Sequence, residues 1–303
     1  MVLLNILEQV ELHRAAHGFR RGRSIVSNAK PHVGSDVVIN VDLEDFFPTV
    51  TYKRIRGVFR SLGYSDQVST ILALICSEPQ IDEVQLDGKT YYVAKSERAL
   101  PQGAPSSPAI TNIICRGLDA RLDDSATKLG FVYTRYADDM TLSGSAEATG
   151  NIGRMLRRIE HVVGDEGFQI HPKKTRVIRN SRRQEVTGLV VNERVAVSRS
   201  TLRRFRATLF QIDKDGPAGK QWGSSPDVLA SIEGFANFVA MVQPEKGAHL
   251  QMQVRGILKK YGRTPYQRPR TVSDIAPSQA PVPDPAPDPE PAVKPKKPWW
   301  KFW

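Results

Sequence analysis

The sequence is poor in cysteine and has no long apolar run. Only two of its 303 residues are cysteines, Cys76 and Cys115, and both lie in apolar stretches with helical periodicity. Two such residues cannot build a disulfide scaffold or supply the spacing of a zinc site, and they are typical of buried thiols in a reducing compartment. No apolar run approaches the roughly 18 residues of a membrane-spanning helix. The first residues also lack the basic segment and cleavage site of a secretion signal, so we predict a cytoplasmic protein without a membrane span.

Acidic residues are scarce relative to basic ones. The chain has 43 Lys and Arg against 32 Asp and Glu, which gives a net charge of +11 and a pI near 9.7. Residues 150–206 alone contain 14 Lys and Arg and only 5 Asp and Glu. One interpretation of such a stretch is a solvated helix face. A concentration of this kind favours the other interpretation, a surface that binds nucleic-acid phosphates.

Residues 131–143 contain a pair of adjacent acids between two apolar segments. The segments 131–136 and 140–142 have the composition of short β-strands, so Asp138 and Asp139 lie at a predicted hairpin turn. Adjacent carboxylates repel each other, and a divalent cation would relieve that repulsion. Without a metal, a buried pair would be neutralised by protonation. An ordinary surface turn, where Asp is common, is the structural alternative.

A third acid follows a buried strand about a hundred residues earlier in the chain. Residues 37–41, Val-Val-Ile-Asn-Val, predict a strand that ends at Asp42. If this strand lies beside the hairpin in one sheet, three carboxylates meet at one edge of that sheet. Such a set suits two Mg²⁺ ions, which need few carboxylates when substrate oxygens complete their coordination, and which stabilise the entering and leaving oxygens of a phosphoryl transfer.

Apolar periodicity and capping residues predict the remaining elements. Ser65 and Ser107 are predicted N-caps, and Pro108 follows the second at the first helical position. Residues 186–197 predict a β-hairpin that turns near Asn192 and Glu193. Helices are predicted over 1–16, 52–60, 65–77, 108–122, 152–163, 199–212, 226–242 and 245–261, and a strand over 89–94.

The composition changes after Tyr261. Proline occupies every second position from Pro281 to Pro291, which cannot build a core and predicts an extended, polyproline-like linker. Residues 294–303 then place three tryptophans and a phenylalanine among lysines. Such an end needs a docking surface. Three kinds of surface stay open: a partner protein, nucleic-acid bases for stacking, and a membrane interface.

Together, these segments resemble the successive palm motifs of reverse transcriptases, in the same order. The motifs are Asp-Leu-Glu-Asp-Phe-Phe at 42–47, Leu-Pro-Gln-Gly at 100–103, Tyr-Ala-Asp-Asp at 136–139 and Lys-Lys-Thr at 173–175. Asn-Ala-Lys-Pro-His at 28–32 and Val-Thr-Gly at 186–188 resemble two further signatures of bacterial retron reverse transcriptases. The resemblance covers roughly residues 10–260, and the motifs are jointly very specific.

The resemblance implies roles for individual residues. Asp42 and Asp138 would be the main ligands of two Mg²⁺ ions, for which Mn²⁺ could substitute, and Asp139 would complete the acidic pair. Lys174, with Lys173 as the second choice, would protonate or neutralise the leaving pyrophosphate. Phe47 matches the aromatic gate that excludes a 2′-hydroxyl, so dNTPs are the implied substrates. Further substrate contacts are expected from Gln102, Gly103, Tyr136, Arg20 and Arg23.

The resemblance also implies partners. The chain would copy a structured noncoding RNA, which serves as template and primer, into DNA, and it would hold the RNA–DNA duplex. Anti-phage defence, with an effector protein, is the implied setting. For Asn28 and His32 a purely structural role stays equally open. The residues implied in RNA recognition are Asn28, His32, Val186, Thr187, Gly188, Arg199 and Arg203.

The implied fold class is α+β, with the architecture of a right-hand polymerase. Fingers and palm would span 1–197, the palm being a small antiparallel sheet backed by helices. A helical thumb would span 198–262, and a disordered Pro-rich tail 263–303.

One feature departs from the family pattern. Only 16 residues precede His17, where such enzymes usually carry a longer fingers region with a basic residue that grips the triphosphate. Arg20, Arg21 and Arg23 are expected to substitute for part of those contacts. Two other interpretations stay open: a catalytically impaired nucleic-acid-binding scaffold or fragment, and a reverse transcriptase of another bacterial lineage, such as the group II intron type.

Overall fold

The computed structural model describes residues 1–263. The helices of this part are α1 Val2–Asn5, α2 Ile25–Ala29, α3 Tyr52–Ser61, α4 Asp66–Ile75, α5 Ser107–Ile114, α6 Arg116–Lys128, α7 Ile152–Asp165, α8 Arg199–Asp215, α9 Val228–Val242 and α10 Pro244–Lys260. The strands are β1 Val37–Glu44, β2 Ile81–Leu86, β3 Lys89–Ala94, β4 Phe131–Tyr136, β5 Asp139–Gly144, β6 Gln169–Ile170, β7 Arg176–Arg179, β8 Glu185–Val186 and β9 Leu189–Val190.

A five-stranded antiparallel sheet is organised around β1. The order is β4-β5-β1, and the far side of β1 pairs with β7 along its first half and with β6 at its end. Alternate residues of β1 point to opposite faces of the sheet. Val37, Ile39 and Val41 fill the principal core, whereas Asn40 and Asp42 emerge on the other face. The strand therefore places Asp42, like Asn40, on the face opposite the principal core.

Helices pack against the first face and bury it. Ile55 and Phe59 of α3, Ile110 of α5, Leu118 of α6 and Ile159 of α7 are all fully buried in the principal core. Burial of side chains of this size stabilises the fold by about 1.5–3 kcal/mol each. The predicted antiparallel sheet backed by helices, and with it the α+β class, is confirmed.

The three C-terminal helices form a second core. Phe205, Trp222 and Phe235 pack with their ring centres 4.6–4.9 Å apart. Gly247 lets α10 approach α9 closely, because a Cβ there would lie 2.1 Å from the Cα of Ala240. The β8–β9 hairpin, Val38 of β1 and Ala29 of α2 also contribute to this core.

Several predicted elements are confirmed. The helices starting at Tyr52 and Asp66 form, and the Ser65 side chain accepts a hydrogen bond from the backbone N–H of Val68 as a cap. The helices of 152–163 and of the C-terminal region also form. The cap of α5 is Ser106, one residue before the predicted Ser107. The Pro-rich tail lies outside the described residues.

The predicted helix over 1–16 is wrong beyond residue 9. Only Val2–Asn5 and a 3₁₀ turn at Leu7–Gln9 are helical. The reason is a competing partner: the backbone of Ala15 and His17 forms hydrogen bonds with Arg135, at the open edge of β4. An unpaired strand edge presents free backbone donors and acceptors. A short helix without packing partners is only marginally stable, so pairing with the strand edge is favoured.

The predicted turn of the 186–197 hairpin is also displaced. The first reversal is a two-residue turn at Thr187 and Gly188, whose φ angles of 47° and 78° are both positive, as a type I′ turn requires. A second reversal follows, and it pairs Val190 with Ala196. No helix within residues 1–263 combines the length and the apolar character needed to cross a membrane.

Candidate active site

Two of the predicted acids are cross-strand neighbours. Asp42 of β1 pairs with Asp139 of β5 in the antiparallel register, so both side chains lie on the same face of the sheet. Partial burial, the negative charges of Asp138 and Asp42 and a hydrogen bond with Asp42 together raise the pKa of Asp139 to about 6. The two carboxyl groups are therefore close enough to compete for one proton.

Asp138 lies in the turn between β4 and β5. Its carbonyl oxygen accepts a 3.1 Å hydrogen bond from the backbone N–H of Leu43, which ties the turn to β1. Burial raises the pKa of the Asp138 carboxyl, and the charge of Asp42 raises it further. The preceding residue, Ala137, has a φ of 58°, in the left-handed region that non-glycine residues rarely adopt. The structure thus brings the turn that carries Asp138 and Asp139 against the end of β1 that carries Asp42.

Lys174 belongs to the same cluster. Its Nζ donates a 2.7 Å hydrogen bond to Oδ1 of Asp42. The segment between β6 and β7 carries it there, because the His171 N–H binds the Asp42 carbonyl at 2.8 Å and the Lys174 N–H binds the His171 carbonyl at 3.1 Å. The hydrogen bond to Asp42 raises the pKa of Lys174, so its ammonium form is favoured. The side chain remains about half exposed.

A cleft of about 250 Å³ runs from the acids across the open face of the sheet. Asn40 and Thr141, which share a 3.3 Å hydrogen bond, form part of its floor. Thr187 and Gly188 of the β8–β9 turn lie at its other end. Val186, in contrast, is buried in the second core. The turn of this hairpin is therefore placed to contact whatever chain lies along the acids.

A second cleft, of about 410 Å³, lies beyond the same hairpin. Val190, Ala196 and Leu202 give it an apolar floor. In residues 1–263, three cations that line it, Arg194, Arg199 and Lys246, form no ion pair. Arg203, one turn further along α8, is also exposed. The cleft is thus positively charged at its rim and apolar at its base.

Among the other predicted substrate contacts, Tyr136 is the cross-strand partner of Asp139. Phe47 is half-buried against the principal core, and its ring centre lies 5.5 Å from that of Phe46. Gln102 and Gly103 are exposed before α5, and in the described chain neither forms a hydrogen bond to the acidic cluster. Tyr136 packs its ring 6.3 Å from that of Phe19. Their substrate roles stay predictions.

The two arginines predicted to contact substrate differ in their surroundings. Arg20 donates a 2.9 Å hydrogen bond to the carbonyl of His13, which draws it toward the N-terminal segment. Arg23 is exposed. Burial, with smaller effects from both arginine charges, lowers the pKa of His17 to about 4. Contact of either arginine with a triphosphate stays a prediction.

Asn28 and His32 are fully buried. The ring of His32 lies 2.7 Å from Oγ of Ser143 and 2.7 Å from Oγ1 of Thr134, so it links β5 and β4 on the same sheet face as Asn40 and Asp42. Neither polar atom of the Asn28 amide has a hydrogen-bond partner within the described chain. These side chains present no surface to an RNA, so any contribution to RNA recognition would act through the segments they support.

Sequence reasoning missed a buried polar cluster of Asn112, Asp119 and Arg135. A signal was present. Phe131, Tyr133 and Arg135 alternate along β4, so Arg135 shares the buried face with two aromatic residues. A buried guanidinium needs an acidic partner. Asp119 stands on the apolar side of its helix, one position after the buried Leu118.

The family described as "Reverse transcriptase (RNA-dependent DNA polymerase)" matches residues 1–191. Among curated proteins, the chain is 45% identical over 260 residues to the retron Mx162 reverse transcriptase of Myxococcus xanthus, which covers 81% of this chain and 53% of that protein. It is 34% identical over 271 residues to the retron Ec86 reverse transcriptase of Escherichia coli, which covers 89% of this chain and 76% of that protein.

The length of the match differs between these relatives. The chain spans about half of the Myxococcus protein and about three quarters of the Escherichia protein. Among solved structures, a telomerase from Candida tropicalis, in complex with a fragment of telomeric RNA, aligns with 86% of this chain and 44% of its own. The TM-score of that alignment is 0.47, at 10% sequence identity.

Proposed function

Because this chain belongs to the reverse transcriptase family, in its bacterial retron branch, we propose that it is an RNA-directed DNA polymerase. Its substrates would be dNTPs, and its template a structured noncoding RNA. The observation that carries the proposal is the register of β1 and β5, which sets Asp42 beside Asp139, with Asp138 in the adjoining turn. The right-hand fold then divides into fingers and palm over 1–197 and thumb over 198–262.

The acidic cluster fits divalent metal ions that are completed by substrate. Within residues 1–263, no three His, Cys, Asp or Glu side chains converge closely enough to form a metal site by themselves. Mg²⁺ rarely needs such a cage, because it is commonly held by one or two carboxylates together with water and substrate phosphates. The carboxylates of Asp42, Asp138 and Asp139 offer hard oxygen donors. Burial, together with the charges of the neighbouring acids, raises the pKa of Asp138 and of Asp139, and a cation would relieve the repulsion among these charges.

In this proposal, Asp42, Asp138 and Asp139 would hold two Mg²⁺ ions. Bound ions of this kind activate the attacking hydroxyl and neutralise charge on the leaving phosphates. Lys174 holds a proton at Nζ beside the same acids, and in this proposal it would pass that proton to the leaving pyrophosphate. The turn at Thr187 and Gly188 would contact the primer strand.

The setting of the reaction is proposed on the family likeness alone. Retron reverse transcriptases copy part of a structured RNA into DNA, and a role in anti-phage defence, with an effector protein, would follow. The basic second cleft supports a nucleic-acid partner, because unpaired cations around one opening favour phosphate groups.

The test is Mg²⁺-dependent dNTP incorporation by the full chain on a primed RNA template. Asp138→Asn should lower synthesis by at least about 100-fold, because the amide keeps the shape of the side chain but loses the charge that holds a cation. Asp87→Asn, in the exposed turn between β2 and β3, is the matched control and should retain full activity. A folded parent chain without synthesis on any primed template, or an active Asp138→Asn variant, would refute the proposal.

A further inference from the structure

A fully buried ion pair lies beneath the catalytic turn. Asp119 of α6 and Arg135 of β4 both have no solvent exposure. The guanidinium donates two hydrogen bonds of 2.8 Å to the two carboxylate oxygens of Asp119, in a fork-to-fork arrangement. The Tyr133 hydroxyl donates a third, of 2.9 Å, to Asp119. The Asp119 carboxylate is therefore fully hydrogen-bonded inside the protein.

Stability alone does not account for this pair. Removing two charges from water is costly, and apolar residues of similar volume often stabilise a core equally well or better. A buried ion pair of this kind does provide fixed geometry, because its hydrogen bonds are directional. The question is which part of the molecule that geometry fixes.

The contacts of Nη1, the third guanidinium nitrogen of Arg135, show that this geometry fixes the turn before Asp138. Nη1 of Arg135 donates a 2.9 Å hydrogen bond to the carbonyl of Ala137 and a 3.1 Å hydrogen bond to Oδ1 of Asn112. Ala137 is the residue with left-handed backbone that directly precedes Asp138. A conformation of that kind persists only where its surroundings hold it. Arg135 is thus bonded to the strained residue of the turn itself.

Asn112 connects the same cluster to the N-terminal segment. Its Nδ2 donates a 2.9 Å hydrogen bond to the carbonyl of Gly18. Gly18 lies directly against the turn, since a Cβ at this position would be 2.5 Å from the backbone nitrogen of Ala137. The turn is therefore held on one side by Arg135 and on the other by the backbone of residue 18.

We propose that Asn112, Asp119 and Arg135 are positioning residues that hold the Asp138–Asp139 turn in register with Asp42. They touch neither substrate nor metal, and they act through the carbonyl of Ala137 and the backbone of Gly18. This inference rests on the proposed polymerase function for its consequence, although the positioning itself is a property of the turn. The first test therefore measures the turn, and the second measures activity.

Two variants separate positioning from simple charge balance. Arg135→Lys keeps a cation beside Asp119, but one ammonium cannot reach Asp119, Asn112 and Ala137 together. The double variant Asp119→Asn with Arg135→Met removes both charges and keeps similar volumes, so that no uncompensated charge stays buried. Both should fold, as judged by circular dichroism and thermal unfolding. Single removal of either charge is not used, because an unpaired buried charge can prevent folding.

In both variants, hydrogen exchange of the backbone amides at residues 136–140 should become at least tenfold faster. Exchange in α9, which belongs to the second core, should be unchanged. This readout does not depend on catalysis, so it tests the inference even if the parent chain proves inactive. Unchanged exchange at the turn in both folded variants would overturn the proposal.

Activity gives the second test. In both variants, kcat should fall at least tenfold and the Mg²⁺ concentration for half-maximal rate should rise, while the KM for dNTP should change less than threefold. A purely structural role would lower the amount of folded enzyme and leave these constants unchanged. Full kcat with unchanged Mg²⁺ dependence in Arg135→Lys would overturn the proposal. An inactive parent chain with a loosened turn in the variants would instead count against the polymerase function alone.

Discussion

Lys174 contacts the acidic cluster through one hydrogen bond, and its neighbour does not. Lys174 lies 2.7 Å from Asp42, whereas Lys173 is exposed and forms no hydrogen bond or ion pair within residues 1–263. The two lysines are chemically identical and adjacent in sequence. They therefore provide a matched pair for separating a local role from the general effect of positive charge.

We expect Lys174→Met to lower kcat by roughly 100-fold, the usual scale for loss of a positioned proton donor. Lys173→Met should stay within about threefold of the parent. Steady-state and single-turnover rates of dNTP incorporation would measure both. Equal losses in the two variants would show that the lysines act only as surface charge.

Some residues of the site could be predicted from the sequence, and others could not. The three acids could be predicted, because Asp has few structural reasons to end an apolar strand or to occur twice in an apolar hairpin. Arg135 and Asp119 could not be paired in advance. The alternation along β4 places Arg135 on a buried face, but only the packing of α6 on β4 shows that its acidic partner is Asp119.

At the scale of elements, the β8–β9 hairpin stands between the two clefts. Its turn residues line the cleft beside the acids, and Val190 lines the basic one. A nucleic acid that leaves the acids along the sheet would pass this hairpin and reach the cations at the start of α8. The orientation of α8 strengthens that attraction, because the N-terminal end of a helix carries a partial positive charge.

We expect the double variant Arg199→Gln with Lys246→Gln to weaken binding of a structured RNA. It should also reduce the slope of log affinity against log salt concentration by about two, since each lost phosphate contact removes about one. Fluorescence anisotropy across a salt series would measure this. Arg157→Gln with Lys214→Gln is the control for net charge, since both residues are exposed on other surfaces. An equal loss in the two double variants would rule out a specific role for the cleft.

Elements with strong local signals were predictable. Ser65 caps α4 as expected, and the C-terminal helices follow their apolar periodicity. Failures arose where tertiary contacts decided the outcome. Residues 11–17 satisfy the edge of β4 instead of extending a helix. Strand β2 carries no clear signal, because almost all of its residues are exposed and, within residues 1–263, it pairs with β3 alone.

At the scale of the whole molecule, buried histidine makes stability depend on pH. Burial, with a smaller effect of His17, lowers the pKa of His32 to about 4, against about 6.5 for an unfolded chain. Between these values the unfolded state binds a proton that the native state does not, so stability falls as the pH falls. The stability that the neutral His32 side chain contributes is fully present above about pH 6.5. At 1.36 kcal/mol for each pKa unit, its loss is about 3 kcal/mol by pH 4.

We expect the variant His32→Gln to have a shallower dependence of the free energy of unfolding on pH between 6.5 and 4. Glutamine can still bind both hydroxyl groups but takes up no proton. Urea unfolding of parent and variant across this range would measure the difference. The acidic cluster is common to both proteins and cancels, whereas the effect of His17 on His32 is part of the difference that the variant measures. Parallel curves would show that His32 does not cause the pH dependence.

The contact between Gly18 and the Asp138–Asp139 turn also bears on the order in which the protein folds during synthesis. Gly18 and Asn112 are hydrogen-bonded although they lie 94 positions apart, and the backbone bonds to Arg135 span still more of the chain. Contacts between distant segments form slowly, because a long loop must close first. Residues 15–18 can therefore reach their native contacts only after the β4–β5 hairpin has been synthesised. A nascent chain that ends before residue 131 would leave them without the edge of β4.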